Sequence, residues 1–150
     1  MTFDDIPAGV TVFLDANTLI YHFTAHAGYG AACTSLLDRI ERQEISGASS
    51  AHVLSDVAHR LMTIEAMTRL GWPATRLAAR LRQHHAEIPR LSLYRQALTR
   101  VAQMGIIVFP ISEHLVHGAA GLSQQHELLT DDALIVAAMQ AHNLIRVPSR

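Results

Sequence analysis

The sequence predicts an α/β domain built on a parallel sheet, and three observations support this prediction. Short apolar runs that suit strands alternate along the chain with longer stretches of helical periodicity. The runs are continuously apolar, as is typical of strands that helices cover on both faces. The chain has 150 residues, of which 49% are hydrophobic, enough for one domain with a core. We therefore expect a single domain over residues 1–150.

Four segments are predicted as strands. The first covers residues 10–14 (VTVFL) and ends at Asp15, and residues 45–50 (ISGASS) form a short second strand or turn. Residues 106–111 (IIVFPI) are predicted as a buried strand, and residues 144–147 (LIRV) as the last one. In parallel sheets, ligands bind at the carboxyl ends of the strands, so Asp15 stands where a site is expected.

Apolar residues at helical spacing predict helices between these strands. The clearest helix covers residues 51–70, follows serines that can cap it and ends at the helix breaker Gly71-Trp72-Pro73. The other helices are predicted near residues 31–44, 74–86, 92–104, 113–125 and 132–142, the last of which has Asn143 as a C-terminal cap.

Charge is distributed unevenly along the chain. The net charge of −1 predicts no nucleic-acid partner on its own, and all 12 basic residues are arginines. Between residues 60 and 100, eight arginines stand against two glutamates, a net charge of +6, whereas the remainder has four arginines and eleven acids, or −7. One interpretation is solvated helix faces. The other is a basic arm beside an acidic, metal-loaded pocket, which would favour phosphate backbones.

Composition excludes or disfavours several kinds of protein and site. No apolar run reaches the roughly 18 residues that a membrane span needs, and the start of the chain does not resemble a signal peptide, so we expect a cytoplasmic protein. The single cysteine, Cys33, excludes an internal disulfide and is best interpreted as a core residue. The lack of lysine excludes a Walker-type loop and argues against lysine-dependent aspartyl phosphotransfer enzymes. Histidine pairs such as His22 and His26 lack the glutamate of zinc-hydrolase motifs.

Four aspartates occupy positions from which they could meet at the sheet's carboxyl edge. Asp15 ends the first strand, Asp56 lies in the first turns of the helix after the second strand, and Asp131 and Asp132 open the last long helix. Converging carboxylates repel one another unless a cation lies between them, and oxygen ligands suit Mg²⁺ or Mn²⁺. Such an ion can activate water for displacement at phosphorus. The alternatives are a helix cap for Asp15 and for one of the last pair, and a solvated helix position for Asp56.

Four segments, in this order, resemble the PIN-domain family and most closely its VapC-type toxins from bacterial toxin–antitoxin pairs. They are VFLDANTLIYHF (12–23), SSAHVLSDVAHRLM (49–62), GIIVFPIS (105–112) and LSQQHELLTDDALIVAAMQAHNL (122–144). The resemblance implies a PIN-like three-layer sandwich, in which helices flank a central parallel sheet, with an acidic pocket for Mg²⁺ or Mn²⁺. It also implies RNA cleavage, and inactivation by a small antitoxin whose tail enters the pocket.

The resemblance also implies roles for individual residues. Asp15, Asp56 and Asp132 match the family's first three acids and are expected to be the catalytic metal ligands. Asp56 stands where the family usually has glutamate, so its contact with the metal could run through water. Asn17 and Thr18 match the polar residues beside the first acid, and Asn17 or Thr18 would orient the metal or its water. Asp131 is expected to support the site by capping the helix.

The end of the chain departs from the family pattern. Relatives follow the last strand with a Ser/Thr-x-Asp-x-Asp-Phe-like segment that supplies a fourth acid, whereas this sequence stops at LIRVPSR. Ser149 could match the Ser/Thr position, but no aspartate follows it. We therefore expect a domain that lacks its C-terminal closing segment, by truncation or natural shortening. With three acids, one metal site could persist while a second would be weakened.

These observations predict a toxin-type endoribonuclease that depends on Mg²⁺ or Mn²⁺ and hydrolyses RNA phosphodiesters. Arg60, Arg76 and Arg80 would hold the RNA or an acidic antitoxin, and the apolar composition favours a homodimer. The alternative is a catalytically impaired PIN-like module that captures an antitoxin or another partner without cleaving RNA, which the missing fourth acid favours. A third, unrelated possibility is a metal-dependent phosphatase, which would turn over phosphomonoesters.

Overall fold

One parallel sheet lies at the centre of the computed structural model, which describes residues 2–143 and the backbone of residues 145–146. Its strand order is β3-β2-β1-β4, and each neighbouring pair is parallel. The strands are β1 (Thr11–Phe13), β2 (Ser46–Ser50), β3 (Ile107–Phe109) and β4 (Ile145–Arg146). The predicted α/β class and parallel sheet are therefore confirmed. Leu144 and residues 147–150, with Ser149 and the end of the predicted last strand, lie outside the described residues.

Helices flank the sheet, as predicted. In the described part of the chain the α-helices are α1 (Ala16–Phe23), α2 (Gly30–Glu41), α3 (Ala51–Leu70), α4 (Leu77–Gln83), α5 (Leu93–Gln103), α6 (Glu113–His126) and α7 (Thr130–His142). Two short 3-10 helices cover Phe3–Asp5 and His85–Arg90. None of the helices described is both long and apolar enough to cross a membrane.

The predicted bounds of α3 are confirmed at both ends. Ser50 has an extended backbone, and its hydroxyl accepts a hydrogen bond from the Val53 N–H at 3.2 Å, which satisfies one of the free donors of the first turn. Gly71 takes the left-handed conformation, with φ of +67°, which ends the helix without steric strain. Asn143 ends α7 in the same way, with φ of 54°. Both stops were predicted from residue type.

The region around α4 differs from the prediction of a helix over residues 74–86. Arg76 has a left-handed backbone with φ of 56°, so the helix begins only at Leu77 and ends at Gln83. A 3-10 helix that contains Pro89 follows directly. The prediction was too long because apolar spacing does not reveal a left-handed residue in advance.

Residues 106–111 contain the predicted strand, but the prediction that this strand is buried is wrong. Ile106 is buried, but Ile107 and Val108 are 53% and 36% exposed. The reason is that β3 is an edge strand of the described sheet, with β2 as its neighbour. A continuous apolar run signals a covered strand only when the strand lies inside the sheet.

The main hydrophobic core lies where β1 meets α1, α2, α3 and α5. Its fully buried side chains include Phe13, Leu14, Leu36 and Leu61. The strand order reverses at β1, since β2 and β3 lie on one side and β4 on the other. Such a reversal opens a crevice at the carboxyl ends of the strands, where α/β proteins bind their ligands.

Candidate metal centre

A pocket of about 290 Å³ lies where β1 and β2 lead into their helices. The start of α1, the first half of α3 and the start of α7 form its walls. The lining residues are Asp15, Ala16, Asn17, His52, Val53, Asp56, Arg60, Leu129, Asp131, Asp132 and Ile135. The structure thus brings together the four aspartates that the sequence analysis singled out. We call this space the aspartate pocket.

Asp15 is held rigidly at the inner end of the pocket. It is only 4% exposed, and its Oδ1 accepts hydrogen bonds from the backbone N–H and from the hydroxyl of Thr18, each at 3.1 Å. The preceding Leu14 is tied to β2, because its N–H donates to the Ala48 carbonyl and its own carbonyl accepts from the Ser49 hydroxyl. Asp15 therefore caps α1 and lines the pocket at once, so its two interpretations do not compete.

The charge of Asp15 reaches into the core beneath the pocket. Burial and the negative charge of Asp15 raise the pKa of the Cys33 thiol to about 11. Cys33 is 3% exposed and its thiol stays protonated at neutral pH, so it is unsuited to act as a nucleophile. This agrees with its interpretation as a core residue.

α3 contributes three polar side chains to the pocket from one face. His52, Asp56 and Arg60 are spaced four residues apart and therefore lie above one another on the helix. Asp56 is exposed. The Arg60 guanidinium donates a hydrogen bond from Nη1 to Oδ1 of Asn17 at 2.7 Å, which joins α3 to α1.

α7 places both of its aspartates on the pocket wall, but the predicted capping role of Asp131 is wrong. The helix begins at Thr130, and Leu129, with an extended backbone, occupies the N-cap position without a side-chain hydrogen bond. A capping residue must have this extended backbone, and Asp131 and Asp132 already lie in the first helical turn. Asp131 instead places Oδ1 3.4 Å from Nε2 of His52.

The remaining predicted site residues are placed differently from one another. Thr18 is fully buried and acts on Asp15 through its hydrogen bonds, whereas Asn17 lines the pocket and holds Arg60. Arg76 and Arg80 lie at the start and on the body of α4, outside the set of residues that lines the pocket. His52 was not predicted as a pocket residue, although it lies one turn before Asp56 on the same face of α3, which is a signal in the sequence.

The donor set of the pocket suits a hard divalent cation. Its aspartates offer oxygen ligands, which Mg²⁺ and Mn²⁺ prefer, and Asp56, Asp131 and Asp132 are exposed. The side chains surround one space without converging on one point. Among the residues that the structure describes, no group of three or more histidine, cysteine, aspartate or glutamate side chains is close enough to hold a metal ion. The pocket therefore suits a metal ion by the chemistry of its ligands and by its position at the sheet, and not by the spacing of its side chains.

In a comparison with protein families, residues 12–150 match the PIN domain. The chain belongs to the PIN domain family. The match covers the aspartate pocket and nearly the whole chain, so the resemblance of the four sequence segments is confirmed. None of the curated proteins compared with this PIN domain matches its sequence.

Solved structures share the fold at low sequence identity. The VapC20 toxin of Mycobacterium tuberculosis, described as cleaving the sarcin–ricin loop, is similar with a TM-score of 0.60 and 14% identity, over 89% of this chain and 84% of its own. A toxin–antitoxin complex from Klebsiella pneumoniae contains a chain with a TM-score of 0.54 and 21% identity, over 93% of this chain and 86% of its own. These matches confirm a PIN-like α/β sandwich.

Proposed function

We propose that this PIN domain is a toxin-type endoribonuclease that hydrolyses RNA phosphodiesters with the help of Mg²⁺ or Mn²⁺. The observation that carries the proposal is the aspartate pocket, in which three separate segments of the chain bring four carboxylates to the carboxyl edge of the sheet. Membership of the PIN family and the likeness to the VapC20 toxin support the same activity.

Asp15, Asp56 and Asp132 are the proposed metal ligands, directly or through water. A bound Mg²⁺ or Mn²⁺ would lower the pKa of a coordinated water and stabilise negative charge at phosphorus. The protein's own contribution is orientation. Thr18 fixes Oδ1 of Asp15, and the first turn of α7 fixes the backbone of Asp132. Because Asp15 and Asp132 are already ordered, metal binding does not have to restrict their conformations.

Arg60 is the proposed contact for the phosphate that is cleaved. It lines the pocket beside the aspartates and is oriented by Asn17. A guanidinium can donate two parallel hydrogen bonds to a phosphate, which both attracts and aligns it. Arg76, directly before α4, and Arg80, on α4, would contact RNA or an antitoxin only outside the pocket.

A second candidate function is a binding module that captures an antitoxin or another partner without cleaving RNA. The observation that favours it is the lack of convergence of the carboxylates among the described residues. Such a module would keep the pocket as a docking site for a basic side chain of the partner, because the four aspartates attract positive charge in either case.

An antitoxin and a second copy of the chain are the proposed partners. The likeness to a chain of a toxin–antitoxin complex supports the first. The exposed side chains of Ile107, Val108 and Val116 support the second, since a dimer would remove apolar surface from water. Static light scattering of the purified chain measures the dimer directly.

A cleavage assay separates the two candidate functions. Purified protein is incubated with single-stranded RNA in Mg²⁺, in Mn²⁺ and with chelator, and with a phosphomonoester as a control substrate. The enzyme predicts RNA fragments with either metal, none with chelator and no phosphomonoester turnover. Intact RNA with both metals, while an antitoxin still binds, would favour the binding module. Phosphomonoester turnover would support the phosphatase instead.

A further inference from the structure

Three aromatic rings gather where the last turn of α1 meets the segment that joins α1 to α2, outside the aspartate pocket. The rings of His26 and Tyr29 stack, with centroids 5.2 Å apart and an angle of 15° between their planes. The ring of Tyr21 lies 4.6 Å from that of His26 and 5.3 Å from that of Tyr29. Tyr29 is 40% exposed, and His26 is exposed as well. We call these three side chains the ring cluster.

The backbone holds the ring cluster in a fixed orientation. Nδ1 of His26 accepts hydrogen bonds from the N–H groups of Gly28 at 3.1 Å and Tyr29 at 3.2 Å, so the neutral ring carries its proton on Nε2. The His26 N–H donates to the Tyr21 carbonyl at 2.9 Å. Gly30 lets the loop close, since a Cβ there would lie 3.1 Å from that same carbonyl oxygen. Fixed rings lower the entropy cost of binding a flat ligand.

Helix α1 connects the ring cluster to the aspartate pocket. Tyr21 lies one turn after Asn17, a pocket residue, and six residues after Asp15, which corresponds to about 9 Å along the axis of α1. The pocket and the ring cluster thus lie towards opposite ends of the same short helix. An RNA strand that follows α1 would place a phosphate in the pocket and a neighbouring base at the ring cluster.

We propose that the ring cluster is a stacking surface for an unpaired base of the RNA substrate, an inference that rests on the proposed function. An exposed aromatic face binds any base by stacking, without a requirement for sequence. In a duplex the base faces are already stacked, so such a surface selects single-stranded or looped RNA. The Nε2–H of His26 and the hydroxyls of Tyr21 and Tyr29 can donate hydrogen bonds to a base edge or to the ribose 2′-OH.

Binding without cleavage tests this proposal. Fluorescence anisotropy with chelator present measures the affinity of a short labelled single-stranded RNA for the wild type and for Tyr29→Leu, which removes the aromatic face but keeps an apolar side chain. We expect Tyr29→Leu to bind about 5- to 150-fold more weakly. Tyr29→Phe keeps the face and should bind like the wild type. His84→Ala is the matched control, because it removes an exposed ring from the separate pair with Trp72.

Each outcome bears on the proposal. Weaker binding by Tyr29→Leu alone, with an unchanged melting temperature and no such loss for a duplex of the same sequence, supports the stacking surface. Equal affinity of wild type and Tyr29→Leu, or no binding of single-stranded RNA by the wild type, overturns it and points to a protein contact. If the wild type still cleaves RNA with Mn²⁺ in that case, the proposed function stands without the stacking surface. If RNA binds through Tyr29 but is never cleaved, the stacking surface stands and the nuclease does not.

Discussion

The Arg60 guanidinium donates a 2.7 Å hydrogen bond to the side-chain oxygen of Asn17 and so joins α3 to α1 across the aspartate pocket. Because this partner is a neutral amide, the bond orients the guanidinium without neutralising its charge. A fixed positive charge thus lies among four aspartates. The aspartates would attract a metal cation, and the Arg60 guanidinium would attract a phosphate.

Arg60→Ala should weaken RNA binding and lower its dependence on salt. Loss of one phosphate contact reduces the slope of log affinity against log salt concentration by about 0.7 for single-stranded RNA. Arg42→Ala is the matched control, since it removes an exposed arginine that neither lines the pocket nor is proposed to bind RNA, and it should change the slope less. Equal slopes for Arg60→Ala and the wild type, measured by titration at several salt concentrations, would exclude Arg60 as a phosphate contact.

Asp132→Asn and Asp131→Asn should differ in activity. Loss of a residue that only supports a metal ligand lowers metal affinity or activity by roughly 10- to 100-fold. Loss of a ligand itself should lower activity further, so we expect Asp132→Asn to abolish metal-dependent cleavage. Asp131 is 81% exposed and pairs with His52 at 3.4 Å, a contact worth little in water, so Asp131→Asn should retain most activity. Cleavage rates in Mn²⁺ measure both. Equal losses would mean that the two aspartates share the metal.

Ser50→Ala should destabilise the protein more than Ser112→Ala. Both serines cap a helix through a 3.2 Å bond from a backbone N–H, to α3 and α6 respectively. Loss of a cap costs about 1 kcal/mol, which corresponds to roughly 2–4 °C in melting temperature at this size. Ser50 is buried, so water cannot replace its bond, whereas Ser112 is exposed. Thermal melts give the order, and a larger loss for Ser112→Ala would contradict this account of the caps.

His22 should make the protein less stable in mild acid. Burial lowers its pKa from the ordinary value of 6.5, the charge of Arg100 acts in the same direction, and Asp38 and Glu41 act against it. The unfolded chain therefore binds this proton more readily than the folded protein. The stability that His22 contributes is complete above about pH 6.5 and is lost as the pH falls through lower values. His22→Gln should flatten the fall in melting temperature below that pH, and an unchanged fall would exclude His22 as its source.

Much of the fold could be predicted because its signals are local. α3 runs from Ala51 to Leu70 as expected, since a serine cap and a left-handed glycine are both visible as residue types. The burial of β3 could not be predicted in this way. Ile107 and Val108 look like core residues until the strand order places them at an edge of the described sheet.

The aspartates of the candidate site could be predicted from the sequence, but the hydrogen bond that joins its walls could not. Asp15 follows a strand, and Asp56 and Asp132 lie in the first turns of helices. The carboxyl ends of parallel strands meet at one edge, so these three acids were predicted to lie together. The bond from Arg60 to Asn17 joins residues 43 positions apart, and no local pattern contains it. The capping prediction for Asp131 failed because the backbone of Leu129, and not the type of its side chain, decides where α7 begins.

The cleavage rate of Asp15→Asn, relative to the wild type at saturating Mn²⁺, tests most directly whether the aspartate pocket is a metal-dependent nuclease site. Asparagine caps helices as well as aspartate does, so its side-chain oxygen can still accept from Thr18 and the melting temperature should stay close to that of the wild type. The substitution removes only the negative charge that a metal ligand needs. We predict a folded protein that no longer cleaves RNA, and cleavage at the wild-type rate would contradict the central claim.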